Sequence, residues 1–555
     1  MTSVAILGGG VGGLSAAHEL AERGFDVTVY EWRDTFGGKA RSIPVPGSGV
    51  DGRADLPGEH GFRFFPGFYW HVIDTMERIP YRGGNVASHL VDATRMLMAQ
   101  AGGRNELIAP AKLPTSLNDL AVLAQFMWDF GVQLRIPVWE LASLFERLFA
   151  LLTSCDERRY EQWEQVSWWE FTGAEGKSEQ FKKFLVDGMT RTLVAAQAEK
   201  MSARTGGSIA TQIMLDMMKV NGRVDRVLDG PTSEVWIEPW TERLTALGVE
   251  FQPGCKVTDI QCDGGHVIGA EINDGEQVIT ADHYVAALPV EKLREMITAP
   301  HPLLTAEPRL ARLEHLTVRW MNGVMFYLNK DVALQRGHTI FIDSEWALTA
   351  ISQAQFWPNV NLETYGDGSV DGLLSVDVSE WERPSKRTGL CAKDCTKEQI
   401  FEEVWAQLVD HIDDGSLDES NIVAKFLDPA IQLPNPSGTT NLEPLLVNTK
   451  NSWKDRPCAV TRIPNFFLAA DFVRTHTDLA TMEAANEAAR RAVNGSLDAS
   501  GSDASRCKVR PLREVRALAP LRALDRARWE IERPVRSVLR AVPGGDLVSG
   551  LLGLR

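Results

Sequence analysis

No stretch of the chain reaches about 18 uninterrupted apolar residues, so no helix is expected to cross a bilayer. The most apolar segment, Leu117–Leu152, is broken by Asp119, Asp129, Arg135, Glu140, Glu146 and Arg147. It suits a core or a membrane surface. No basic run with an apolar segment behind it precedes the first strand, so no signal peptide is expected. Cysteine is scarce: seven residues, odd in number and scattered, exclude a disulfide framework. Cys391 and Cys395 form a C-x3-C without a second Cys/His pair, so no metal is expected. Reduced thiols suit a cytoplasmic protein. Positive charge is also missing overall: the net charge of −16 excludes a general nucleic-acid-binding surface.

What is present is enough chain for two or three folding units. Charge is unevenly spread. Arg506–Arg555 holds 12 Lys+Arg against 5 Asp+Glu, leaving the tail at +7 and the rest at −23. Repeated Leu/Val with Arg there suits an amphipathic segment, cut into short pieces by Pro511, Pro520, Pro534 and Pro543 after a polar linker at Ser496–Ser505. Such a tail can lie on an anionic membrane, dock on the acidic body, or stay disordered. The expected location is cytoplasmic, with peripheral contact at the inner face of the membrane through this tail. The oligomeric state is left open.

The N-terminus carries the strongest local pattern. Val4-Ala5-Ile6-Leu7 reads as a buried strand, Leu14–Arg23 as a helix stopped by Gly24, and Val27–Glu31 as a second strand. Between the first strand and the helix lies G-x-G-x-x-G at Gly8, Gly10 and Gly13. Gly8 permits a tight turn, Gly10 lets backbone approach a pyrophosphate, and Gly13 lets helix and strand pack closely. The helix N-terminus offers N–H groups to phosphates. Glu31 is placed to accept ribose hydroxyls. The pattern alone admits NAD or FAD.

The next residues decide between them. Phe36-Gly37-Gly38-Lys39-Ala40-Arg41-Ser42 resembles the G-G-R/K-x-x-S/T element of the FAD-dependent amine oxidase and phytoene desaturase superfamily. Gly58-Glu59-His60-Gly61-Phe62-Arg63-Phe64-Phe65-Pro66-Gly67 resembles its flavin-ring segment, in wording closest to the desaturase branch. Lys256-Val257 and Ala286-Ala287-Leu288-Pro289 resemble its middle segment. Phe466–Phe472 with Thr481–Asn486 resembles its C-terminal motif, although Ala470 and Thr481 stand near where glycines are usual.

The resemblance implies FAD and an α/β (α+β) fold. A Rossmann-like domain of the GR2 type is assembled from 1–95, 231–300 and 459–498. A mixed substrate domain is inserted at 96–230 (helical) and 301–458 (with a sheet), and 499–555 is linker and tail. It implies cofactor contacts from Gly8, Gly10, Val11, Gly12, Gly13, Glu31 and Trp32, and along the ribityl–pyrophosphate from Gly37, Gly38, Lys39 and Arg41. Glu59, His60, Gly61, Phe62, Val257, Ala287, Asp471, Thr481, Met482 and Ala485 complete the set. The helix beginning near Met482 would point its positive end at the flavin.

The implied activity is dehydrogenation or isomerisation of a hydrophobic prenoid- or carotenoid-like substrate by hydride transfer to flavin N5, with oxygen or a quinone as electron acceptor. Amine oxidation to an imine and hydrogen peroxide is the alternative, and a non-catalytic flavin protein the third reading. His60, Arg63 and His476 are the polar catalytic candidates. Aromatics at Phe126, Trp128, Phe130, Trp139, Phe145, Phe149, Trp168, Trp169, Phe171, Phe341, Trp346, Phe356 and Trp357 suit either core packing or an apolar tunnel toward the flavin.

Overall fold

The apolar run at the start of the chain forms the strand Ser3–Leu7, whose last four residues are buried. It lies at the centre of a five-stranded parallel sheet in the order Glu250–Gln252, Asp26–Tyr30, Ser3–Leu7, His283–Ala286, Phe466–Leu468. A central parallel strand is covered on both faces, which is why no polar residue interrupts Val4–Leu7. The sheet draws its strands from three distant stretches of the chain. The helices Val11–Ala21 and Met482–Ser500 pack against each other, pinned by Asn486 donating to Ser15 Oγ at 2.8 Å. The computed structural model describes residues 1–103, 107–110, 135–188, 190–191, 196–217, 225–435 and 438–540. Phe126, Trp128 and Phe130 lie outside them.

An antiparallel meander, Val257–Asp263, His266–Ile272 and Gln277–Ile279, is inserted beside the parallel sheet. Its third strand was not foreseen from the sequence. A second, seven-stranded sheet runs in the order Ile422–Leu427, Asn322–Leu328, Gly372–Val378, Leu348–Ser352, Thr339–Phe341, Arg95–Ala99, Leu107–Pro110. Along Gly372–Val378 the residues alternate: Leu374, Val376 and Val378 join the core under the helix Lys397–His411, while Leu373 joins the opposite cluster with Leu56 and Phe62. Asp377, of the same parity, faces the segment around Gly61. The helices Val138–Thr153, Trp168–Thr172 and Ala203–Met217 enclose a separate core that includes Leu144, Leu148, Trp168 and Phe171.

The C-terminal region corrects two expectations. Ser496–Ser505 is not a linker at its start: the helix continues to Ser500, Ser496 and Leu497 are buried, and Ser496 Oγ lies 2.7 Å from His283 Nδ1. Pro520 and Pro534 do not cut the tail, because one helix, Ala519–Arg540, contains both; Pro511 lies before that helix and Pro543 outside the described residues. That helix docks on the acidic helix Asp156–Glu161. Arg158 meets Asp525 at 2.9 Å and Glu532 at 3.0 Å, Arg526 meets Glu157 at 3.1 Å, and Arg533 meets Glu161 at 2.8 Å. Trp529 is buried beneath the Arg158 guanidinium. Of the three fates open to the tail, residues 506–540 adopt docking on the body.

Candidate functional site

Residues from the ends of both sheets line a cavity of about 820 Å³, at the upper end of the roughly 300–1,000 Å³ of small-molecule sites. One end is built almost wholly from backbone. Gly8, at φ 108, turns the chain out of the first strand. A Cβ at Gly12 would stand 1.9 Å from the Ala469 carbonyl oxygen, and one at Gly13 1.9 Å from that of Gly8. The second glycine turn is laced to the first: Gly37 donates its N–H to Gly9 O at 2.8 Å. Glu31 closes this end, its carboxylate accepting N–H groups from Gly9 at 2.7 Å and Arg33 at 3.1 Å. Burial pushes its carboxyl up against the pull of those donors. Val257 and Trp32 line the same end.

In the middle of the cavity the helix Met482–Ser500 presents its first turn. Thr481 is its N-cap, accepting the Ala484 N–H at 3.2 Å, so the residue that replaces a glycine here stabilises the helix start. Asp471, Thr481, Met482 and Ala485 line the cavity. Glu483 points away and caps the helix His71–Met76 through the N–H groups of Trp70, His71 and Val72, at 2.8, 2.8 and 2.9 Å.

The far end is apolar in its walls and charged on one side. Phe62, Phe64, Met201, Met321, Leu445, Leu446 and Val447 line it. The segment 59–63 crosses the ends of three adjacent strands of the second sheet. Gly323 donates to His60 O at 2.6 Å, and Asp428 N to Gly323 O at 3.0 Å. His60 Nδ1 lies 2.6 Å from Asp428 Oδ2 and 4.0 Å from Glu443 Oε2. Burial alone would raise the Asp428 carboxyl, but His60 and the donors Ala430 N–H and Asn322 hold it below the ordinary range. Glu443 is likewise held down, against burial, by His60, Arg41 and Arg33.

These three side chains bring their ligating atoms within 4.8 Å of one another. Arg41 and Arg33, each 3.1 Å from Glu443, already supply the balancing charge and would repel a divalent cation. Asp377 sits beside this group under the opposite influence: burial outweighs Arg63 and His338 and pushes its carboxyl up to about 7.

Most of the expected residues meet in the cavity: Gly8, Gly10, Val11, Gly12, Glu31, Trp32, Gly37, Gly38, Lys39, His60, Gly61, Phe62, Arg63, Val257, Ala287, Asp471, Thr481, Met482 and Ala485. Four do not. Gly13 packs behind the turn, where its missing side chain lets helix and strand touch. Arg41 points back to Gly38 O and Glu443. Glu59 is buried beneath the lining, taking Ser42 Oγ–H at 2.9 Å and Thr232 N–H at 3.2 Å. His476 does not line the cavity, and its backbone N–H donates to Glu487 at 2.8 Å.

Phe341, Trp346, Phe356 and Trp357 are buried in packing cores, and none of them lines the cavity. The packing reading therefore holds for them. Asp377, Asp428 and Glu443 were missed. The one signal for Asp377 was an acid on a strand whose residues are otherwise apolar or small.

A glycine cradle for a dinucleotide, continuous with an apolar chamber under an inserted sheet, defines a two-domain flavoprotein of the oxidoreductase class. The chain belongs to the flavin-containing amine oxidoreductase family, whose model matches residues 11–495. It is 28% identical to a zeta-carotene desaturase of Synechocystis sp. over 53% of this chain and 59% of that one, so less than two thirds of that relative is matched. It is 23% identical to a 15-cis-phytoene desaturase of Synechococcus elongatus over 87% of this chain and 93% of that one. Among solved structures, a putrescine oxidase superposes with TM-score 0.60 at 14% identity, covering 90% of this chain and 99% of that one. A cyclohexylamine oxidase from Brevibacterium oxydans does so with 0.59 at 13%, again over 90% and 99%. At these identities the solved structures show the fold alone.

FAD is the cofactor of the family, and the residues present fit it. Gly10, Gly12 and Gly38 bring bare backbone to the cavity wall, Glu31 stands at the adenosine end, and a helix start faces the middle of the cavity. When bound, FAD supplies a two-electron, hydride-accepting centre.

Proposed function

We propose that the protein dehydrogenates a hydrophobic polyprenoid of the carotenoid-precursor type. The observation that carries this is the chamber beyond the glycine cradle, walled by Phe62, Phe64, Met201, Met321, Leu445, Leu446 and Val447. Such a wall binds hydrocarbon by burial and excludes water from the reacting carbons. The desaturases among its relatives support the same reading. The chain's own residues orient the substrate through these apolar contacts and keep charge to one side, at Arg63 and Asp377. Anaerobic mixing of the yellow holoprotein with 15-cis-phytoene or zeta-carotene should bleach the flavin and add a conjugated double bond. A changed double-bond geometry without bleaching would indicate redox-neutral isomerisation instead. Bleaching by putrescine or cyclohexylamine, with peroxide released in air and no response to polyprenes, would replace the reading with amine oxidation. Reoxidation by oxygen against a quinone, followed optically, identifies the electron acceptor.

A membrane supply of such a substrate is the second part of the proposal. The helix Val138–Thr153 leaves Trp139, Phe145 and Phe149 exposed by 73, 62 and 52%. The helix Ala519–Arg540 touches it and exposes Leu524 and Ile531. Exposed arginines, among them Arg526, Arg528 and Arg533, accompany these side chains. An apolar stripe edged by cations suits an anionic leaflet. This moves the expected contact from the tail alone to two helices together. Flotation with phosphatidylglycerol-containing liposomes should be strong for the wild type and lost in Phe145→Glu/Phe149→Glu. Equal flotation of the two would remove the proposal.

A further inference from the structure

The dehydrogenation reading removes two hydrogens from adjacent carbons. Hydride transfer disposes of one; the other must leave as a proton, from a carbon held against the apolar wall of the cavity. A group that can take it has to be inside the chamber, able to ionise, and not already committed to a partner.

The ionisable side chains that line this end besides Asp377 are His60, Arg63 and Glu443, and each is engaged by an opposite charge, Glu443 by Arg33 and Arg41 at 3.1 Å. The His60 ring nitrogen is 2.6 Å from Asp428, and Asp428 takes the amide of Asn322 at 2.6 Å and the Ala430 N–H at 2.9 Å. Arg63, its side chain 11% exposed, is directed to the carbonyl oxygens of Gly61 and Lys39 and cannot lose its proton. Asp377 differs. It is 3% exposed, it lines the cavity, and its Oδ1 has no hydrogen-bond partner. A buried carboxylate oxygen without a partner is costly and calls for an explanation.

Its position is built. Asp377 pairs with Gly323 across the second sheet, and Gly323 is bonded to His60. A Cβ at Gly61 would stand 2.6 Å from Asp377 Oδ1, so the absence of a side chain at Gly61 lets the carboxylate lie against the flavin-side segment. The charged and titratable groups facing it are Arg63, His338 and Asp428, with the Phe62 N–H beside it.

We infer that Asp377 is the proton acceptor of the dehydrogenation. Two C–H bonds break and one C–C π bond forms. One C–H electron pair leaves with its hydrogen as hydride to FAD, the two-electron acceptor. The other pair becomes the π bond, and its proton finishes on Asp377 as a carboxylic acid, to be released to solvent after product leaves. Because burial raises this carboxyl to about 7, it can take a proton and return it near neutral pH, as a base must.

The inference rests on the dehydrogenation reading, and the test separates the two. The first measurement needs no substrate. The thermal midpoint of the holoprotein and of Asp377→Asn is followed from pH 5 to pH 9. A carboxyl raised in the folded state costs stability as pH climbs from its ordinary value to its folded one, so the wild type should fall progressively behind Asp377→Asn from pH 5 to about 7 and run parallel to it above that. An infrared protonated-carboxyl band should titrate around pH 7 in the wild type only. Stability curves parallel from pH 5 upward and no such band would overturn the assignment whatever the substrate.

The second measurement is anaerobic flavin bleaching by 15-cis-phytoene. The wild-type rate should rise with pH to a plateau above about 7. Asp377→Asn, with FAD content unchanged by absorbance, should be slower by roughly 10²–10³-fold and lose the rise. Asp377→Glu should recover part of the rate. A full rate or an unchanged pH profile in Asp377→Asn would overturn the inference. A titrating Asp377 in a protein that no polyprene bleaches would overturn the dehydrogenation reading, and the acceptor role with it.

Discussion

The nucleotide end of the cavity is made of backbone, held by positions where a side chain has no room. The substrate end is made of side chains, held by opposed charges brought together from strands 300 residues apart in sequence. At the first end the residue type follows from geometry, as at Gly12, where a Cβ would meet the Ala469 carbonyl oxygen at 1.9 Å. At the second, the same residue type behaves in opposite ways a few ångströms apart. Asp428 is held down by His60, whereas Asp377 is pushed up by burial. Shape is inherited from the chain path at one end and assembled from pairwise electrostatics at the other.

The largest expected effect breaks the backbone end. Gly12→Val should yield protein without flavin or no folded protein, a loss above about 4 kcal/mol. The ratio of visible to protein absorbance and the thermal midpoint report it, and a yellow, stable variant would show that the strand Phe466–Leu468 can move aside. Next comes the charged end. Asp428→Ala leaves His60 and Asn322 without their acceptor and should cost about 3–5 kcal/mol, read by urea unfolding.

The signs with pH should also be opposite. Asp428 and Glu443 are depressed in the folded state, so their contribution is present above the ordinary carboxylate range and lost as pH falls. Asp428→Asn should therefore flatten the acid side of the stability profile, while Asp377 shapes the neutral side. An unchanged acid side would mean that the pair with His60 contributes nothing.

Gly61→Ala tests where the two ends meet. The added methyl must displace the Asp377 carboxylate, at a cost of about 1–3 kcal/mol, and should shift the pH dependence of stability. An unaltered profile would place the carboxylate away from Gly61. The smallest effect belongs to the helix start. Thr481→Ala should lose about 1 kcal/mol and Thr481→Gly only a few tenths, because glycine is itself tolerated as a cap. Equal losses would remove Thr481 from that role.

The same contrast explains what could be read in the sequence. The parallel sheet, its order of segments and the glycine turns were legible because local geometry dictates residue identity there. Arg41, Glu59 and His476 were assigned by their closeness to motifs. Their chains alternate or turn, and each side chain faces away from the cavity, toward Glu443, Ser42 and the Glu487 side respectively. Asp377 was illegible because one acid in Gly372–Val378 looks like the outward member of an alternating strand. The distant segment 59–63 lies against that face at Asp377 and makes it an interior there.

The parallel sheet carries a consequence for synthesis. Its central strand, Ser3–Leu7, is made first, and the edge strand, Phe466–Leu468, comes near the end. The helix that covers Val11–Ala21 follows later still. At roughly 5–20 residues per second, the apolar surface of the central strand waits about 20–90 s for its cover while the intervening chain is made. The nascent chain must be shielded over that interval, and a ribosome stalled before residue 466 should leave the N-terminal unit dependent on chaperones rather than on its own sheet.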